Sequence, residues 1–447
     1  MSLMQLLHKR LETHGPIRVG LIGAGKFGSM FLTQVPTTPG LEVTVIADLD
    51  PQHARHTCAA VGWEAERMAR TRFVDDGLAL LAADDVDVVV EATGHPPAGV
   101  AHARAAIREG KHIVMVNVEA DVLVGPLLAR EAEAAGIVYS MAYGDQPALT
   151  CELVDWARAC GFEVVAAGKG TKYLPSYHAS TPDTVWDHYG LTAEQAAAAR
   201  MNSQMFNSFL DGTKSAIEMA AIANATGLTP APDGLVFPPC GVDDLTHVLR
   251  PREAGGQLHH KGQVEVISSV ERDRRPVYRD LRWGVYVVLE APNAYAADCF
   301  KQYGLRTDDT GRYAAMHKPY HLIGLELNMS VLSAVLRGEA TGCTTGFRGD
   351  VVATAKRDLS AGEVLDGEGG FTVWGKLMPA YDSLVLGGLP IGLAHGVKLV
   401  RDISAGHPIG WHDVEHSDSL DAVKARQTME QAFRTEWKLS ENLVGTL

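Results

Sequence analysis

No two of the six cysteines (Cys58, Cys151, Cys160, Cys240, Cys299, Cys343) form a CxxC pair, and their scatter suggests neither a disulfide framework nor a zinc site. They read as reduced, mostly buried thiols of a cytoplasmic protein. The sequence has no apolar run of about 18 residues, which removes a transmembrane helix from consideration. Met1 to Arg10 lacks the charged-then-apolar pattern of a secretory signal. Positive charge is scarce: 40 Lys and Arg stand against 54 Asp and Glu, a net charge of −14. That deficit argues against nucleic acid and anionic membrane as partners. It still permits a small anionic ligand held by a few converging lysines. There is no HExxH, and His259-His260 beside Lys261 reads as a solvated loop, so a need for a divalent metal stays open.

What is present is ample apolar content. Hydrophobic residues make up 46% of 447, enough for ordinary cores in two to four domains. Residues 17–23, IRVGLIG, read as a buried parallel strand, followed by a helix to about Val35. Further strands are expected at 43–50, 85–94, 111–117 and within 134–147, with helices between them. This alternation predicts an α/β domain with a doubly wound parallel sheet, a Rossmann fold, over residues 1–150. Residues 151–340 read as an α/β substrate domain. It should contain a helix at 150–161, a strand from 162, one long helix within 201–228, a strand at 281–291 and an amphipathic helix at 317–336. Residues 341–447 read as a small β-rich domain built on an internal repeat. Arg357 to Gly362, RDLSAG, recurs 44 residues later as RDISAG, Arg401 to Gly406. The two copies should pack as related halves of one domain.

Gly23-Ala24-Gly25-Lys26-Phe27-Gly28 is a GxGxxG placed after a strand and before a helix, the setting that marks a dinucleotide site. Gly23 suits the tight turn, Gly25 the approach of pyrophosphate and Gly28 close helix–strand packing. Asp48, at the end of the next strand, suits a ribose 2′-hydroxyl and favours NAD; the alternative is that it caps the turn before Pro51. His53 and Arg55 nearby could offset its charge, so NAD against NADP is open. Thr93, Gly94, Asn117 and Glu119 follow the next two strands at their carboxyl ends, where such sheets bind ligands. Thr93, Gly94 and Asn117 are expected beside the nicotinamide.

Hydride transfer needs a donor for the developing alkoxide and anchors for the rest of the substrate. Lys169 and Lys172, in GKGTKY, stand at the end of a strand. Asp211 and Lys214, in DGTK, begin a helix whose next charge, Glu218, shares a face with Lys214. Lys318 precedes another helix, near His317 and His321. Each of these also fits a solvated loop or a surface ion pair. The expectation is that at least two of these lysines converge on a phosphorylated substrate. Glu218 would hold one lysine in place, and Asp211 would serve as an acid/base or metal-linked group.

These residues carry a resemblance. Residues 17–119 look like the homoserine dehydrogenase superfamily, with GKHIVMVN at 110–117 similar to its GKHVVTANK strand and FLDGTKSAI at 209–217 similar to its NGTxNYI element. Glu119 stands near the place of the family's lysine. The RDLSAG and RDISAG copies resemble SAF domains. A Rossmann half of this kind joined to a SAF domain resembles the deoxyxylulose-phosphate-reductoisomerase-like proteins over essentially the whole chain. The resemblance implies an NADPH-dependent conversion of 1-deoxy-D-xylulose 5-phosphate to 2-C-methyl-D-erythritol 4-phosphate, in isoprenoid precursor synthesis, and a homodimer. Two other readings fit the same residues. One is a dehydrogenase acting on a polyol phosphate, a sugar acid or homoserine. The other is a non-catalytic NAD(P) sensor that binds partners through its SAF domain.

Overall fold

A computed structural model of the protein describes residues 1–199 and 201–439. The chain divides into two compact units, 1–152 with 321–345, and 153–320 with 346–447.

Among the described residues, six strands build the sheet of the first unit: β1 (Ile17–Ile22), β2 (Leu41–Ala47), β3 (Arg72–Val74), β4 (Val88–Glu91), β5 (His112–Met115) and β6 (Tyr139–Met141). Their order is β3-β2-β1-β4-β5-β6, and every pairing is parallel. This is the doubly wound Rossmann order, whose ligand crevice opens between β1 and β4 where the winding reverses. β4 is buried along its whole length because helices cover both faces of the sheet. Val19, Leu21, Val88, Val90 and Val114 pack with Phe31 and Leu32 of the helix Lys26–Gln34.

The last helix of this core comes from far along the chain. Leu327, Val331 and Leu332, at the start of and within the helix Asn328–Arg337, join the same cluster. This revises two expectations. Residues 317–336 are not one helix: a strand, Tyr313–Lys318, ends there and the helix starts at Asn328. The boundary near 340 also moves, because 321–345 returns to the Rossmann unit. The returning segment is pinned by Thr344, whose hydroxyl donates to Asp121 at 3.1 Å, and Tyr139 Oη donates to the same carboxylate at 2.9 Å.

The second unit holds a mixed sheet of β7 (Glu163–Thr171), β8 (Gln263–Ser268), β9 (Val285–Glu290), β10 (Arg306–Thr307) and β11 (Tyr313–Lys318), in the order β10-β11-β9-β7-β8. The long helix expected within 201–228 is broken. Ser203–Leu210 and Thr213–Thr226 are separate helices, parted at Gly212, whose φ of +93° is costly for any residue with a Cβ. Thr213–Thr226 is buried along most of its length, and its small residues (Ala216, Ala220, Ala221, Ala223) let other elements approach closely. A Cβ on Gly349, for example, would lie 3.2 Å from Ala220 Cα.

Gly349 opens the C-terminal β region: β12 (Gly349–Ala355), β13 (Val364–Asp366), β14 (Val373–Pro379), β15 (His395–Leu399) and β16 (Val414–Glu415). β12 pairs antiparallel with β14, and β15 lies between β13 and β16. The two repeat copies face each other. Leu359 and Ile403 exchange backbone hydrogen bonds of 2.9 Å in both directions. Asp358 accepts from Ala405 N, and Asp402 accepts from Ala361 N, both at 2.8 Å. Each copy's aspartate thus caps the turn of the other. The helix Asp421–Glu436 closes the region with a fully buried Arg426, which bonds Asp350 at 3.1 Å and Glu430 at 2.7 Å.

No helix among the described residues is long and apolar enough to cross a membrane.

Candidate active site

The glycine-rich turn joins β1 to the helix Lys26–Gln34. Its three glycines are glycine for different reasons. A Cβ on Gly23 would sit 2.7 Å from Ala92 O, and one on Gly28 would sit 2.4 Å from Gly23 O. Both would force backbone apart. Gly25 has an ordinary φ of −69°, and a Cβ there would meet nothing within 4 Å. Packing inside the chain therefore does not require glycine at 25. Gly25 also caps the helix without a side chain, which leaves the first N–H groups for an outside acceptor. Lys26 is exposed at the same helix start and Phe27 is half-buried. This geometry fits a dinucleotide pyrophosphate.

Asp48 does not cap the following helix. Asp50 does, accepting from Gln52 N at 3.0 Å and His53 N at 3.2 Å. Asp48 caps the turn before Pro51, with Oδ1 accepting from Asp50 N at 3.0 Å, and its Oδ2 braces the glycine-rich turn by accepting from Ala24 N at 2.8 Å. Each oxygen keeps a second lone pair, so a ribose hydroxyl can still be accepted.

Across the crevice, β4 ends in buried Glu91. Glu91 Oε1 accepts from Thr93 Oγ1 at 2.5 Å and lies 3.1 Å from His102 Nδ1. Oε2 has no hydrogen-bond partner among the described residues. Thr93, Gly94 and His95 are exposed at this strand end. Asn117 is buried, and its side chain is committed: it donates to Thr93 Oγ1 at 3.3 Å and to His95 O at 3.1 Å, and accepts from Ala120 N at 3.1 Å. Asn117 therefore shapes the Thr93–His95 loop at the strand end expected beside the nicotinamide. Glu119 is half-buried in the first turn of the next helix.

The lysines of the second unit fall into distinct settings. Lys169, in β7, is buried against Glu218 of the helix Thr213–Thr226. Glu218 thus holds a lysine, but the one on the strand. In the ladder, Lys169 and Lys318 both stand opposite Val285, so the two share one face of the sheet. Lys318 and Lys214 are half-buried, and Lys318 lies 5.4 Å from the centre of the Tyr320 ring. Lys172 is half-buried and donates to His188 O at 2.5 Å.

Asp211 is fully buried, and its partner is Lys356 Nζ, 2.8 Å away. Lys356 also donates to Ser180 O at 2.8 Å and Gly370 O at 2.6 Å. Burial pushes the Asp211 carboxyl up, against the pull of Lys356. So enclosed, Asp211 locks the β region to the substrate region; the free acid/base or metal-linked role expected of it does not fit. Among the described residues, no three His, Cys, Asp or Glu side chains gather as a metal site.

Lys356 was not legible as a functional group. One signal existed: it precedes the first repeat copy, where the second copy has the apolar Val400. A second unforeseen group is His178, with Nδ1 2.7 Å from Asp211 O and Nε2 2.9 Å from Tyr173 Oη. Its Nδ1 donates to the carbonyl and its Nε2 accepts from the tyrosine. Burial pushes this imidazole down to about 4, and it stacks on Trp374 of β14 at 3.8 Å.

The chain carries three family matches in tandem. Residues 17–116 match the oxidoreductase family with an NAD-binding Rossmann fold, the GFO/IDH/MocA type. Residues 144–327 match the catalytic domain of oxidoreductase DRL, and 350–415 match the SAF domain. The first unit carries an NAD-binding Rossmann domain of the GFO/IDH/MocA oxidoreductase type. Parts of the chain are similar in sequence to curated proteins. An inositol 2-dehydrogenase of Acidothermus cellulolyticus is 32% identical over 126 residues, covering 28% of this chain and 35% of that protein. A 1-deoxy-D-xylulose 5-phosphate reductoisomerase of Thermus thermophilus is 39% identical over 77 residues, covering 17% of this chain and 21% of that protein. The chain thus spans about a third or less of the length of these curated relatives. A solved myo-inositol dehydrogenase from Lactobacillus casei, in complex with NAD(H) and myo-inositol, is 18% identical. It covers 38% of this chain and 50% of its own, with a TM-score of 0.29, too low to bear on substrate.

Proposed function

We propose that this protein is an NAD(P)-dependent oxidoreductase that reduces a carbonyl group of a small phosphorylated substrate. Its specific reaction would be the NADPH-dependent conversion of 1-deoxy-D-xylulose 5-phosphate to 2-C-methyl-D-erythritol 4-phosphate, in which the carbon skeleton of the ketose phosphate first rearranges and the aldehyde so formed then takes the hydride and the proton. The observation that carries the reading is Gly25, glycine where packing within the chain asks for none. Support for the specific reaction comes from the Thermus thermophilus relative and from the pairing of DRL and SAF matches in one chain. The same reading takes the protein to be a cytoplasmic homodimer.

Gly25 and Lys26, with the N–H groups of the helix start, would hold the pyrophosphate, and Asp48 would meet the adenosine ribose. Bound there, the nicotinamide supplies a hydride. The chain's own task is to orient the substrate and supply a proton. Lys169 holds one at Nζ, in a buried setting, with Glu218 fixing its direction. Lys169 would be the donor of that proton to the substrate oxygen as the carbonyl becomes a hydroxyl.

The test is a panel of sugar phosphates, polyol phosphates and homoserine with NADPH and NADH. Turnover of the deoxyxylulose phosphate is expected. In Lys169→Met, kcat should fall by roughly 10²–10³, as for loss of an oxyanion donor, with KM little changed. Preference for homoserine or a polyol phosphate contradicts the specific reaction. Dinucleotide binding without turnover of any member favours the sensor.

A further inference from the structure

Net charge −14 makes unpaired cations conspicuous. Most arginines whose contacts are described face carboxylates, as Arg279 faces Asp243 at 3.0 Å and Arg275 faces Asp273 at 2.8 Å. Around the end of β7 the pattern differs. The ladder sets Lys169 opposite Val285 and then ends in a turn closed by Gly284 N donating to Leu281 O at 3.0 Å, and this turn brings Arg282 over Gly170, where a Cβ would lie 3.0 Å from Arg282 N, two residues before Lys172. Lys172 spends one proton on the His188 carbonyl. Arg282 lies 4.8 Å from the centre of the Trp283 ring, and no carboxylate reaches its guanidinium among the described residues. Arg274 likewise has no acidic partner there, although its charge bears on both the Tyr177 hydroxyl and the His188 ring.

We propose that Lys172, Arg274 and Arg282, with His188 beside them, form a subsite for a phosphate monoester dianion, the phosphoryl group of the substrate.

The inference rests on the proposed function for its choice of ligand. Three further observations support the subsite. The cations oppose one another: burial, then Arg282, pulls the Lys172 ammonium down, and burial, then Lys172, pulls the His188 imidazole down. A bound dianion turns that repulsion into attraction. Arg274 sits at φ +74° in a tight turn closed by Arg274 N donating to Glu271 O at 2.9 Å. A left-handed arginine costs on the order of 1 kcal/mol where glycine would cost nothing, so its side chain has a use. The acids nearby are engaged or single. Asp273 holds Arg275. The Arg275 cation also feels Glu271. Asp280 accepts from Arg282 N at 2.8 Å, and Asp187 acts on His188 alone of this group. Two guanidinium groups and an ammonium suit three phosphoryl oxygens better than one carboxylate.

The test uses the full chain and inorganic phosphate as probe, with acetate beside it, by isothermal titration. Wild type should bind phosphate and favour it over acetate at least tenfold. Arg274→Gln/Arg282→Gln should weaken phosphate at least tenfold, while Lys424→Gln, on the far C-terminal helix, leaves it unchanged. Circular dichroism and the NADPH affinity of the double variant should match wild type. Phosphate binding that survives in the double variant, or is absent from wild type, overturns the subsite. Loss of NADPH affinity assigns the cluster to the cofactor and also overturns it. If phosphate binding is lost as expected but no phosphorylated carbonyl turns over in wild type, the subsite stands and the proposed reaction falls.

Discussion

Two lysine sites in the second unit look alike in sequence and differ in kind. Lys356 is sealed: one carboxylate and two carbonyl oxygens take its protons, and almost none of it meets solvent. Lys172 is half-open, with one carbonyl for a partner and another cation for a neighbour. The first arrangement is complete within the chain and holds two regions together. The second is incomplete, and an incomplete polar site is the sort that takes a ligand. Gly25 makes the same contrast with Gly23 and Gly28 in the first unit: the flanking glycines answer to protein atoms and the middle one answers to none.

Breaking the sealed pair should give the largest effect. Lys356→Met leaves Asp211 buried and uncompensated, and should lower unfolding stability by about 3–5 kcal/mol in denaturant titration. Lys356→Met with Asp211→Leu should recover most of it. Equal loss in the single and double variants would mean that packing, rather than the uncompensated charge, dominates.

Asp121 sharpens the comparison because it is sealed without a cation. Burial pushes its carboxyl up to about 6, against the hydroxyls of Tyr139 and Thr344. The folded chain therefore holds this proton more tightly than the unfolded chain does. The resulting stability is full below the ordinary carboxylate range and is lost as pH rises through about 6. The loss amounts to about 3 kcal/mol. Asp121→Asn should remove that part of the pH dependence, so the variant should gain on wild type between pH 4 and pH 8. A gap between the two that does not change with pH would contradict the shift.

The repeat clasp should give the smallest effect. Asp358→Ala and Asp402→Ala each remove a cap on the other copy's turn and should cost about 1 kcal/mol apiece. A much larger cost at one site would mean that the two copies do not share the load evenly.

The Rossmann half was readable because its signals are local. Apolar runs, Gly23 to Gly28 and the strand spacing each lie within a few residues. The repeat was readable for the same reason, as self-similarity over 44 residues. The partners of the charged groups were not. Glu218 faces Lys169 across 49 residues and Asp211 faces Lys356 across 145, and nothing local fixes such pairings. Lys214 was the obvious helical neighbour of Glu218, yet the strand lysine meets that carboxylate. The break at Gly212 was hidden by the helix-forming residues on both sides. The return of 321–345 to the first unit was hidden because its apolar face fits either core.

The measurement that tests the central claim most directly is fluorescence titration of NADPH and NADH into wild type and Gly25→Trp, with thermal unfolding of both. The account predicts saturable binding by wild type. It predicts at least a hundredfold loss in the variant, whose indole would fill the pyrophosphate position, and an unchanged unfolding transition, since a Cβ at 25 strikes no protein atom. Equal dinucleotide affinity in a folded Gly25→Trp, or no binding by wild type, would contradict it.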